Sequence, residues 1–311
     1  MKSERAAVIL RDATQRWRIR GIPRLLYGTS GWLLGDVPRV FDIGNGLKLK
    51  LDPRDYFQCM MFYRRWGLEL LELFERYVRP GDTVLDVGAQ IGFYSVHLGR
   101  MVTESGHVYS FEPDPRPLEY LRTSLSVSRM DWVRAEPFAL SAREGQIDFN
   151  LSPVFGWSTA VRNTHLAGLQ RVSVPTVPLD TLVANGTILG KIRLAKIDVE
   201  GFELEVLCGM SRVLRKARPI LIMEVNRPML EFQGTTPLEV FEFLTSFRYT
   251  IYKIQVNKRC GRTRPLVTLP LWNPEDFSEQ PAKQGDPFDS AFDVLCIPEP
   301  STSQSNSGDD R

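Results

Sequence analysis

Three observations predict an α/β fold built on a doubly wound, mostly parallel sheet. Strand-like and helix-like segments alternate from residue 83 to about 256, the pattern of successive βαβ units. The strand-like segments are short, continuous apolar runs, as in strands covered on both faces. The first runs into a glycine turn, TVLDVGAQIGFYS over residues 83–95, and the second ends on an acid, HVYSFEPDP over residues 107–115.

The 311 residues suffice for one large α/β domain with extensions or for two small domains. A hydrophobic content of 43% and a charged content of 24% are those of an ordinary globular protein. The net charge of +2 favours no polyanionic partner, and no basic stripe with interleaved aromatics marks a nucleic-acid surface. Cys59, Cys208, Cys260 and Cys296 are widely spaced, which suits buried thiols rather than a disulfide framework or a zinc site. No apolar run is long enough for a membrane span, and arginines interrupt the N-terminus before a signal-peptide core forms. A cytoplasmic location is therefore expected.

Residues 1–45 read as a basic N-terminal extension. Residues 1–30 hold seven Lys and Arg against Glu4 and Asp12, and Ala7, Leu10, Trp17 and Leu25 could form one amphipathic helix. Its basic face would meet an anionic surface, or its apolar residues would pack on the domain beside it. The main domain is expected over residues 46–256. It opens with GNGLKLKLD, an alternating strand, followed by a helix over residues 56–78 that Pro80-Gly81 ends. Pro117 to Ser128 continues as a crossover helix and Trp132 to Leu140 as a third strand. Residues 145–177 change pattern and read as an insertion of two exposed antiparallel strands, the expected source of acceptor contacts. KIRLAKIDV is the next central strand, residues 202–215 a helix, and Ile220 to Val225 a buried strand ending at Glu224 and Asn226. A helix over residues 237–247 and a strand over residues 249–256 follow. Residues 257–298 read as an irregular loop and a last strand, and residues 299–311 as a tail of disordered composition.

The glycine turn and the acid carry the chemistry. Gly88, Ala89, Gln90 and Gly92 bring backbone N–H groups and a helix start close to a ligand. An acid at the end of the next strand, Glu112 before Pro113, suits ribose hydroxyls. The spacing lacks one residue of G-x-G-x-x-G, and Asp86 just before it would repel a pyrophosphate but suit an ammonium. A methyl donor with an amino-acid end is thus preferred over a dinucleotide. No GK[ST] follows the strand, which excludes a P-loop. A second cluster, Lys196, Asp198 and Glu200, alternates at the carboxyl end of a strand, where the ligand crevice of such a sheet lies. Acids there also complement a helix dipole, so the cluster alone does not establish a site.

DVGAQIGFYS, FEPDP, VPLDTL and KIDVEGFELEVLCGM, in this order, resemble the FkbM family of S-adenosylmethionine-dependent methyltransferases over roughly residues 45–226. The resemblance implies a class I, Rossmann-like methyltransferase fold. It implies that Asp86, Gly88 and Gly92 cradle the methionine and ribose, that Glu112 takes the ribose hydroxyls, and that Phe138 and Ala139 border the adenine. Gln90 stands where the family usually has Asn. The acceptor is expected to be a hydroxyl of a sugar, a glycan or a glycosylated or macrolide natural product. Asp198 or Glu200 would take or orient its proton, with Lys196 holding the carboxylates ionised. His165 is a weaker base candidate. A divalent ion on Asp198, Glu200 and Glu203 is possible but not favoured. Phe155, Trp157 and His165 would offer aromatic surface to a sugar. Two other classes stay open: an NAD- or nucleotide-sugar-linked oxidoreductase, and a non-catalytic binding module on the donor fold.

Overall fold

The computed structural model describes residues 2–14, 21–152, 158, 170–257, 266–273 and 291–300. Helices α1 (Lys2–Thr14) and α2 (Ile22–Leu34) precede a hairpin of β1 (Arg39–Gly44) and β2 (Leu47–Leu51). Asn45 and Gly46 both take positive φ at its turn, 57° and 77°, the geometry that lets a two-residue loop follow the twist of its strands. Next come α3 (Tyr56–Phe62), α4 (Leu68–Tyr77), β3 (Thr83–Val87), α5 (Phe93–Val102), β4 (His107–Phe111) and α6 (Pro115–Ser128). The chain continues through β5 (Val133–Glu136), β6 (Ala139–Leu140), β7 (Gly145–Leu151), β8 (Gln170–Val177), α7 (Leu179–Ala184) and β9 (Ile192–Ile197). It then forms α8 (Glu203–Gly209), α9 (Ser211–Lys216), β10 (Ile220–Asn226), α10 (Arg227–Gln233) and α11 (Pro237–Ser246). The last elements are β11 (Tyr249–Lys253), β12 (Gln255–Asn257), β13 (Leu266–Thr268) and β14 (Ala291–Pro298).

The central sheet has seven strands in the order β11-β14-β10-β9-β3-β4-β5. The five strands from β10 to β5 pair in parallel, and β14 runs antiparallel to both β10 and β11. Side chains alternate across it, as the pleat requires. Val84, Leu194 and Ile222 enter the apolar layer that includes Tyr94, Val96 and Leu121, while Leu85, Ala195 and Met223 enter a second layer with Val206, Leu214 and Phe241. The doubly wound expectation is therefore met.

Several elements differ from the sequence reading. The stretch 56–78 is two helices, because Arg64 and Gly67 both take left-handed φ, 54° and 68°, between them. Residues 202–215 likewise split, into α8 and α9, at Met210. A Cβ on Gly209 would run into the Ser141 carbonyl, so the chain closes tightly on β6 just before this break. The third strand divides into β5, in the central sheet, and β6, which pairs with β8. The two strands of the insertion, β7 and β8, are antiparallel as expected and join β6 in a three-stranded sheet, yet the insertion's inner half is core: Phe149, Leu151 and Val174 are buried. The single N-terminal helix becomes α1 and α2; Ala7 is buried on the domain, whereas Leu25 faces solvent and Trp17 lies outside the described residues. The last strand, β14, sits inside the central sheet. Helix α10 was not anticipated; Asn226 caps it, its side chain accepting from the Met229 N–H at 3.4 Å. Among the described residues Cys59, Cys208 and Cys296 are free thiols, and no helix is long and apolar enough to cross a membrane. Of the tail expected over residues 299–311, Glu299 is tied to the domain, its N–H donating to the Arg248 carbonyl at 3.0 Å, and residues 301–311 lie outside the described residues.

Candidate active site

At the carboxyl ends of the parallel strands lies a cavity of about 900 Å³. Its floor is set by register. Ser110, Asp86 and Lys196 stand side by side on β4, β3 and β9, and Glu224 faces Asp293 across β10 and β14. Lys196 ties these rows together. Its Nζ donates to Asp198 Oδ2 at 3.0 Å and to the Gly88 carbonyl at 3.3 Å, lies 3.7 Å from Asp86 Oδ1, and sits 5.1 Å over the Tyr94 ring. Burial opposes its charge, but Asp198 and Asp86 outweigh burial and raise its pKa.

On one side of the cavity, Glu112 is buried with both carboxylate oxygens oriented by backbone donors. Gln90 N–H donates to Oε2 and Asp114 N–H to Oε1, each at 2.8 Å. Burial raises its pKa to about 7 against these two bonds. Gln90 holds a left-handed φ of 52° to present its N–H. A Cβ on Gly88, which has φ 77°, would run into the Asp198 carbonyl oxygen, so the glycine lets β3 and β9 end against one another.

On the other side, one carboxylate oxygen from each of Asp198, Glu200 and Glu224 lies within 4.8 Å of the other two. Glu200 does not reach this place by strand alternation, since β9 ends at Ile197. A turn does it, with Glu200 at φ 51° and Gly201 at φ 97°. Asn226 Nδ2 donates to Glu200 Oε2 at 3.4 Å. Burial, then Asp198, raises the Glu200 pKa well above the ordinary carboxyl value. Asp198, then burial, does the same to Glu224, and burial lifts Asp293 to about 7.

Most of the expected site residues meet here. Gly88, Ala89, Gln90, Glu112, Pro113, Ala139, Lys196, Asp198 and Glu200 line the cavity. Three do not. Asp86 is fully buried behind the wall, where Ser95 Oγ donates to its Oδ2 at 2.6 Å and Lys196 faces its other oxygen. Its strand position points it at α5 and Lys196. Gly92 starts α5 at φ 87°, and a Cβ there would strike Leu121, so its bareness serves helix packing. Phe138 packs on Phe111 with ring centroids 5.6 Å apart.

Glu203, the third ligand in the metal alternative that is not favoured, instead accepts from the Gly201 N–H at 3.2 Å within the protein. Glu224 takes its place in the cluster. Sequence reasoning noted Glu224 only as the end of a strand; the parallel register of β9 and β10, which brings it beside Asp198, is not written in either strand alone. Asp114 was also missed. It caps α6 and its Oδ2 accepts from Ser158 Oγ at 2.9 Å, tying the insertion to the cavity wall. Phe155, Trp157 and His165 lie outside the described residues. Asp180 of the VPLDTL stretch acts locally, its carboxylate accepting from the Arg212 and Val213 N–H groups at the start of α9, at 2.8 and 3.0 Å.

Comparison with known proteins gives a family. Residues 86–251 match the methyltransferase FkbM domain. The hexuronic acid methyltransferase AglP of Haloferax volcanii is 27% identical over 191 residues, which cover 61% of this chain and 72% of AglP. A protein-L-isoaspartate O-methyltransferase of Aeropyrum pernix is 47% identical over 47 residues, 15% of this chain and 18% of that protein. The solved methyltransferase FkbM of Methylobacillus flagellatus is 16% identical with a TM-score of 0.39; the alignment covers 81% of this chain and 59% of that one. The chain thus spans about three fifths of that solved relative.

Proposed function

Because the chain belongs to the FkbM methyltransferase family, we propose that it is an S-adenosylmethionine-dependent O-methyltransferase acting on a hydroxyl of a sugar, a glycan or a glycosylated or macrolide natural product. One observation carries this reading: a single cavity is lined both by the backbone-oriented Glu112 and by the cluster of Lys196, Asp198, Glu200 and Glu224. A sugar acceptor is supported by the name of the AglP relative, a hexuronic acid methyltransferase.

The residues fit the donor. Glu112 is a fixed carboxylate at a strand end, able to accept from two ribose hydroxyls. The Gly88–Gln90 backbone lies next to it, and Ala139, Leu140 and Phe149 give apolar surface for a base. When bound, S-adenosylmethionine supplies an electrophilic methyl group to the acceptor oxygen. The protein's own part is to align that oxygen and remove its proton. Glu200, in its ionised form, takes the proton on its carboxylate, and burial and Asp198 raise its pKa above that of an ordinary carboxylate, which makes it a stronger base. Lys196 keeps Asp198 in place at 3.0 Å and supplies the positive charge that this cluster needs. Asp86 acts from behind, holding Lys196 from the far side. The protein remains an enzyme without a bound divalent ion on this reading.

The experiment is incubation with methyl-labelled donor and fractionated cell glycans or small metabolites. Label is expected in an alkali-stable ether on a sugar. Label in an alkali-labile ester or on nitrogen would defeat the hydroxyl assignment, and transfer to no fraction at all would defeat the catalytic one.

A further inference from the structure

The geometry points to a second function for the N-terminal helices: the outer face of α2 is a docking surface for an anionic lipid bilayer. Helix α2 is apolar on both sides. Leu26, Leu33 and Leu34 are buried inward, yet Trp32 is 79% exposed and Leu25 65% exposed. Seven residues apart, these two lie on one face of the helix. Gly28 and Gly31 keep that face flat, since a Cβ at either would meet nothing within 4 Å. The only ionisable groups in α2 are Arg24 and the Tyr27 phenol. A surface helix normally turns charged and polar residues outward; this one turns out a leucine, a tryptophan and an arginine, the set found in helices lying in a bilayer interface.

Charge selects the occupant. Residues 1–30 hold seven Lys and Arg against two acids, a balance of +5, whereas the whole chain carries only +2. The remainder is therefore net acidic. Arg11 is buried and donates to Asp12 and the Asp42 carbonyl. Arg24, in contrast, is exposed on α2, and Arg16, Arg18 and Arg20, outside the described residues, directly precede the helix in the chain, so an anionic surface attracts this end of the molecule. At 13 residues α2 is too short to span a bilayer and would lie along its surface. The surface also leads somewhere. Tyr27, on the flank of α2, packs edge-on to Tyr56 at 5.3 Å, and Tyr56 packs on Phe57 at 5.6 Å. All three rings are partly exposed, and Phe57 lines the large cavity. Docking through α2 would therefore bring the rim of the cavity to the lipid interface.

The test is sedimentation of the full chain with vesicles of phosphatidylcholine alone and of phosphatidylcholine with phosphatidylglycerol. Binding is expected only to the anionic vesicles and should weaken as salt rises. The double variant Leu25→Ser, Trp32→Ser should bind them at least ~10-fold more weakly. Its circular dichroism and its affinity for S-adenosylhomocysteine should be unchanged, because both side chains point away from the core and the cavity. Absence of sedimentation at low salt would overturn the proposal. So would vesicle binding that the double variant retains in full, or equal retention of both proteins on polyglutamate, which would mean charge alone. A concentration-dependent dimer abolished by the two substitutions would assign the face to a second copy of the chain instead.

Discussion

Lys196 Nζ lies 3.0 Å from Asp198 Oδ2 and is almost entirely buried, so one ammonium stands among the carboxylates of Asp86, Asp198, Glu200 and Glu224. Removing a buried partner leaves uncompensated charge, which costs about 3–5 kcal/mol. Lys196→Met should therefore destabilise the protein by about that much in denaturant titrations near neutral pH. Without the lysine the carboxyls hold protons more tightly in the fold. The deficit should then shrink toward acid pH, where folded and unfolded chains are both protonated. A loss of the same size at acid and alkaline pH would exclude an electrostatic origin.

Glu200 and Glu224 are the pair proposed to remove the acceptor proton. Glu200→Gln keeps the size and the bond from Asn226 but cannot take a proton. It should lower kcat by about 10²–10⁴-fold, the usual contribution of a general base. Glu224→Gln removes a carboxylate within 4.8 Å of Glu200 but not the base itself, so it should alter the pH profile more than it lowers the maximum rate. Affinity for S-adenosylhomocysteine should be unchanged in both, measured by calorimetry. Full turnover in Glu200→Gln would send the base assignment elsewhere.

Glu112 connects a pKa to donor affinity. Burial raises it to about 7, and the ribose hydroxyls need its ionised form. Affinity for S-adenosylhomocysteine should fall as pH drops through about 7. Glu112→Gln should bind about 10- to 100-fold more weakly, the range for losing hydrogen bonds to a charged group, and should lose this pH dependence. Equal affinity and equal pH profiles in the two proteins would remove Glu112 from the donor site.

Where function is written locally, the sequence showed it. The apolar run into Gly88, and Glu112 after the next run, depend only on residues near each other in the chain, and the cavity contains both. Lys196 and Asp198 were legible because two residues of one strand share a face. Glu224 was hidden because its place depends on pairing with a strand remote in sequence. Asp86 was open for a related reason: an acid at a strand end could face ligand or lysine, and the register of β3 against β9 sets it beside Lys196. The breaks near Arg64 and Met210 rest on backbone conformations that apolar periodicity does not register.

Lys196 also bears on metal dependence. An ammonium 3.0 Å from Asp198 already neutralises part of the Asp198, Glu200 and Glu224 cluster and repels a second cation placed there. Methyl transfer should survive dialysis against a strong chelator with its rate unchanged within error. A rate abolished by chelation and restored by magnesium or manganese would make the three carboxylates metal ligands.

The same buried acids set how the whole protein responds to pH. Burial lifts Glu112, Glu203 and Asp293 to about 7, and burial with Asp198 raises Glu200 and Glu224 well above the ordinary carboxyl value as well. Each group, in the interval between its unfolded and folded pKa, holds a proton that the unfolded chain has released. Stability must then fall as pH rises across that interval. Surface carboxylates act in the opposite sense: Asp52, beside Arg54, is shifted down, so its contribution is lost only as the solution becomes strongly acidic. The two trends place the stability maximum on the acid side of neutrality. Unfolding free energy should fall by at least ~2 kcal/mol from roughly pH 5.5 to 8, measured by urea titration at constant ionic strength. A free energy that is flat or rises over that range would mean that these acids are ionised in the fold.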